Sequence, residues 1–163
     1  MKLFGIVIAS VLTFASSVAM AQSDKEDVAM IQAAFGKDKK ILVSYYMEIA
    51  PKDSVAFWKL YDDYEDKRKA ISRERLEGIK KYADEYTSLD NTKATALAEA
   101  SFNNDLKLDK LHQTYFRLFS KIIGGRDAAK LFQLEAYLHA YVRFTTLDNI
   151  PFIDELDKSK IKQ

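Results

Sequence analysis

Between Ala50 and Ile123 the apolar positions return every three or four residues. Phe57, Tyr61, Tyr64, Ile71, Ile79, Tyr82 and Tyr86 form one stripe. Phe102, Leu108, Leu111, Tyr115, Leu118 and Ile122 form another. That spacing predicts two long amphipathic helices, over about 51–88 and 91–123. Pro51 suits the first position of a helix, where its missing N–H costs nothing, and Asp53 meets the positive end of the helix dipole. Asp90 can cap the second helix, and Gly124-Gly125 should end it. The outer face of the first carries Asp63/Lys67, Glu65/Lys69 and Glu77/Lys81, each pair four residues apart in the favourable order. An earlier helix is expected over about 25–48, capped by Ser23 or Asp24, with an interruption near Gly36. A shorter fourth helix follows over about 126–146, on the stripe Leu131, Leu134, Leu138, Tyr141 and Val142. Pro151 then forces Ile150 into an extended shape, and a polar tail over 157–163 should fray.

The fold class expected is therefore all-α: an elongated antiparallel hairpin packed with helix 1 and a shorter helix 4. The turn near Leu89 sets the register of the hairpin, so facing residue numbers should add to about 180. On that count Tyr61 meets Phe119, Tyr64 meets Phe116, Ile71 meets Leu108 and Ile79 meets Phe102. Two stripe positions are arginines, Arg68 and Arg75. Asp109 with His112, and Asp105, lie at their levels, and helix 4 brings Glu135 to the level of Arg68. Two readings stay open for this ionic cluster. The arginine stems can cover apolar surface while their heads reach water. Alternatively the arginines and carboxylates form a buried set that fixes helix register.

The chain has 163 residues, five glycines, two prolines and no cysteine. So few turn residues disfavour an all-β fold, and without disulfides the core must hold the protein together. The start of the chain is not part of that core. Met1-Lys2, the apolar run Leu3 to Phe14 and Ala19-Met20-Ala21 form a secretory signal peptide, 1–21, with cleavage expected after Ala21. The apolar run is shorter than the roughly 20 residues a bilayer span needs, so no stable membrane insertion is expected after cleavage. One helical domain, 22–156, remains. Loss of Lys2 leaves 24 basic residues against 24 acidic ones. That finely mixed, neutral charge disfavours nucleic acid, which needs a basic patch.

Candidate chemistry is sparse. Cysteine is absent, and the chain carries no Gly-x-Ser-x-Gly and no Gly-rich phosphate loop. No catalytic residue and no cofactor is expected. His112 and His139, with Glu135 four residues before His139, are the one set resembling metal ligands. A di-iron bundle would need two Glu-x-x-His motifs and two more glutamates, and metal binding is not the reading adopted. The aromatic stock of ten Phe, nine Tyr and one Trp is more distinctive. A thin hairpin cannot bury all of it, so Tyr45, Trp58, Tyr61, Tyr64 and Tyr82 are the candidates for a binding face.

Two helix starts forty residues apart echo each other, Ile49-Ala50-x-x-Asp53 and Leu89-Asp90-x-x-Lys93. They resemble the Leu-Thr-x-x-Gln motif of the Spy/CpxP-like periplasmic helical proteins, with Ala50 and Asp90 at the threonine positions and Asp53 and Lys93 at the glutamine positions. The chain is more similar to uncharacterised members filed beside them, through Phe57-Trp58-Lys59-Leu60-Tyr61-Asp62-Asp63-Tyr64, Ala128-Ala129-Lys130-Leu131-Phe132-Gln133-Leu134-Glu135 and Ile150-Pro151. The resemblance covers about 27–152. It implies a non-enzymatic periplasmic protein, often dimeric and cradle-shaped, that binds unfolded or partner proteins as a chaperone or envelope-stress sensor. Two other classes stand beside it: a small-molecule or metal-binding helical bundle, and a purely structural envelope protein.

Overall fold

The computed structural model describes residues 37–148 together with Ile150 and Ile153. The expected signal peptide over 1–21, the expected helix start near Ser23 and Asp24, the expected interruption near Gly36, Pro151 and the tail over 157–163 lie outside the described residues.

The described residues form helices and no strand. Helix α1 spans Lys39–Met47, α2 spans Pro51–Glu85, and α3 spans Asn91–Asp148. A 3-10 turn, Tyr86–Ser88, closes α2. At 1.5 Å per residue α2 is about 50 Å long, consistent with the elongated hairpin. Its start is as the sequence dictates, with Pro51 in the first turn and Asp53 behind it. The start of α3 is capped by Asp90, whose Oδ1 accepts from the Lys93 N–H at 2.8 Å.

Gly124 does not end the helix so much as fold it. Its φ of 82° and ψ of 158° are open to glycine and prohibitive for side chains with a Cβ. Helix resumes at once, so α3 consists of two arms, 91–123 and 125–148. The fourth helix of the sequence reading is the second arm. Pairs across this pivot show the arms antiparallel: Phe116 with Phe132 at 6.2 Å between ring centroids, and Arg143 with Asp105 at 3.2 Å.

α2 and the first arm run antiparallel in the register expected. Arg75 pairs with Asp105, Lys107 with Glu74, and Tyr64 stacks obliquely on Tyr115 at 5.4 Å. Three pairings differ. Phe119 meets Phe57 on α2 where Tyr61 was expected. Tyr64 meets Tyr115 instead of Phe116, a shift of one residue that turns Phe116 toward Phe132 on the second arm. Phe102 does not cover Ile79 but is 67% exposed, and Ile79 faces a groove lined by Leu97 and Ser101 instead.

The core sits at the Gly124 end, where α1, the start of α2 and both arms of α3 converge. Val43, Met47, Phe57, Tyr61, Tyr64, Tyr115, Phe119, Ala128 and Leu131 pack there. Phe57 lies 5.2 Å from Phe119 and 6.0 Å from Tyr61, in the offset and tilted arrangements that ring quadrupoles favour. α1 is short, and a helix of nine residues is unstable alone. Val43 and Met47 anchor it by burial, and Glu48 in the left-handed conformation ends it.

Candidate functional site

Above the apolar core lies a polar one, organised by Glu135. Its side chain is 2% exposed. Oε1 accepts from the Tyr61 hydroxyl at 3.0 Å, and Oε2 accepts from Tyr64 at 2.9 Å and from Lys39 Nζ at 2.6 Å. Lys39 also donates to Glu65 at 2.6 Å, and Glu65 in turn accepts from Arg68 Nε at 2.8 Å. Three helices are thereby tied through one chain of charge-assisted bonds. Burial, and after it the Glu135 charge, holds the Tyr61 and Tyr64 hydroxyls protonated far above their ordinary range. Burial pushes the Glu65 carboxyl up, but Lys39 and Arg68 outweigh it and bring it down to about 2.

Several expectations are corrected here. Tyr61 and Tyr64 are not on a binding face: they are core residues whose hydroxyls are spent on Glu135. Trp58 is half-buried, edge-on to Phe57 at 4.9 Å and to Tyr61 at 5.6 Å, with Lys40 over its ring. Glu65 belongs inside, not on the outer face with Lys69, because α1 delivers Lys39 to it. Asp63 and Lys67 do form their surface pair at 2.9 Å. Of the ionic cluster, Arg75 and Asp105 join as expected and Arg143 joins them. Arg68 reaches back to Glu65 one turn earlier and to Ser72 at 3.2 Å, while Asp109 stays exposed. Tyr45 stands out from α1 at 74% exposure with Lys37 over its ring at 4.6 Å.

Two openings flank this network. The first is a cavity of about 40 Å³ between α2 and both arms, lined among others by Arg68, Arg75, His112, Glu135, His139 and Arg143. The two histidines and the glutamate named as metal ligands thus share one small space. Among the described residues, however, no three His, Cys, Asp or Glu side chains converge to hold an ion. The physical reason is that both oxygens of Glu135 are taken by Tyr61, Tyr64 and Lys39. The histidines are kept neutral instead. Burial first, then Arg75, His112, Arg143 and Arg68, pull His139 down to about 4. Burial likewise lowers His112, against the opposing pull of Glu135 and Asp109.

The second opening is a groove of about 550 Å³ toward the hairpin tip. Ile79 and Tyr82 of α2, Leu97 of the first arm and Leu147 of the second wall it. Of the residues expected to form a binding face, Tyr82 is the one found here. Arg75, Asn104 and Arg143 are gathered on the same lining. Sequence reasoning missed Lys39, Glu65, Asn104 and Arg143 as partners. A buried Asn on the first-arm stripe was the one available signal, since Asn104 precedes Leu108 by one helical turn.

No protein-family model matches the chain, and neither a curated protein nor a solved structure matches it significantly.

Proposed function

We propose that this is a non-enzymatic helical binding protein of the periplasm, which takes up unfolded or partner proteins in the manner of a chaperone or an envelope-stress sensor. The observation that carries this reading is the outward display of large apolar side chains by helices that already enclose an aromatic core. Ile41 and Tyr45 stand one turn apart on α1, Phe102 and Leu106 one turn apart on the first arm, and Tyr137 and Phe144 on one face of the second. Aromatic anchors on rigid helices, ringed by both signs of charge, suit binding to varied apolar segments. Lys130 over Tyr46 at 4.7 Å and Lys37 over Tyr45 exemplify that mixture. A homodimer would cover one of these faces. The expected signal sequence and the resemblance to the Spy/CpxP-like proteins support the same compartment.

The test is aggregation of an unfolded protein followed by light scattering, with the chain beginning at Gln22. The wild type is expected to suppress scattering. Tyr45→Ala and Phe102→Ala should weaken that protection while moving stability by no more than about 0.5 kcal/mol, as exposed substitutions do. A wild type that suppresses nothing, or variants that lose protection only in step with melting, would sink the reading in favour of a structural envelope protein.

A further inference from the structure

We infer that the groove at the hairpin tip is a site for a small amphiphile, an aliphatic monocarboxylate. This goes beyond the binding of proteins on the outer faces and uses none of the same residues. The groove volume of about 550 Å³ falls within the range of small-ligand pockets. Its walls include Ile79, Leu97, Leu147 and the ring of Tyr82, and they offer a tail mostly apolar surface.

The polar groups are gathered instead around Arg75, Asn104 and Arg143. Arg75 and Arg143 both bond to Asp105, Arg143 at 3.2 Å, so two guanidiniums share one carboxylate. Lys107 is already matched by Glu74. Among the described residues one positive charge is therefore in surplus there, and a second carboxylate would complete it in the planar, forked geometry guanidinium favours. Burial and the nearness of Arg143 disfavour the charge on Arg75, a strain an incoming anion relieves.

The layout of one charged end and long apolar walls fits a head and a tail. An extended peptide would instead need polar partners along its whole backbone.

Calorimetric titration of the chain from Gln22 with dodecanoate, dodecyl phosphate and dodecyltrimethylammonium, each below its micelle concentration, tests this. One molecule of dodecanoate should bind per chain, and the cationic detergent not at all. Arg143→Gln should weaken the acid by about tenfold. Leu97→Glu, which sets a like charge among the tail walls, should weaken it by at least about tenfold while leaving melting and aggregation suppression as in the wild type. Absence of dodecanoate binding, equal binding of the cation, tighter binding of dodecyl phosphate, or full affinity in Leu97→Glu would each overturn the assignment. Should Leu97→Glu fail to fold, Arg143→Gln still decides it.

Discussion

Replacing Glu135 by leucine should be among the most damaging single changes in this protein. Leucine has nearly the right bulk, so the loss is electrostatic and not a cavity. Removing one partner of a buried ion pair costs about 3–5 kcal/mol, because the other charge stays buried. Lys39 retains Glu65 at 2.6 Å, which places this part near the lower end. The hydroxyls of Tyr61 and Tyr64 lose their acceptor in the core, adding at least about 1 kcal/mol each. The total is about 5 kcal/mol, comparable with the whole stability of many domains of this size. Urea unfolding followed by far-ultraviolet circular dichroism at neutral pH measures it, with the midpoint interpreted at constant slope. The decisive variant is Lys39→Met combined with Glu135→Leu. Because Lys39 serves both Glu135 and Glu65, the double variant should cost about 2 kcal/mol less than the sum of the two single ones, a coupling typical of residues in one network. A loss below about 1.5 kcal/mol, or a double variant equal to the sum of the single ones, would refute the role given to Glu135.

Two further outcomes follow from the same geometry. His139 has its folded pKa lowered to about 4, so the unfolded chain takes up the proton first as pH falls below the ordinary histidine value of about 6.5. Its contribution is intact above that value and is lost between about 6.5 and 4, by roughly 2 kcal/mol once its partial exposure is allowed for. Glu65 acts lower, between its ordinary range and about 2, so melting temperatures across the mildly acid window report the histidines, and His139→Gln should flatten the decline there. Gly124→Ala should cost about 1–3 kcal/mol, since a φ of 82° with ψ of 158° strains any side chain. Gly125→Ala, one residue on and helical, should be neutral or stabilising, and equal effects at the two positions in thermal melts would contradict the pivot.

The limits of the long helices after Ala50 were legible in the chain because local chemistry dictates them. Pro51 and Asp90 start helices by backbone rules that need no tertiary context, and Gly124 marks the reversal because it tolerates a conformation other residues avoid. The register of α2 against the first arm was legible too, since a short turn near Leu89 leaves little freedom, and Arg75 finds Asp105 as counted. Helical periodicity names a face but not its neighbour. Tyr61 and Tyr64 looked equally suited to a core and a binding surface until the second arm folded back and set Glu135 against their hydroxyls. Glu65 belonged by spacing to an outer salt bridge, yet α1 brings Lys39 from 26 residues away and draws it inward. The groove depends on where the second arm lays Arg143 and Leu147 against the hairpin, so its lining was not written in any stripe. Those decisions belong to the tertiary structure because they depend on which long side chains meet across two reversals, where a shift of one residue exchanges Phe116 for Tyr115.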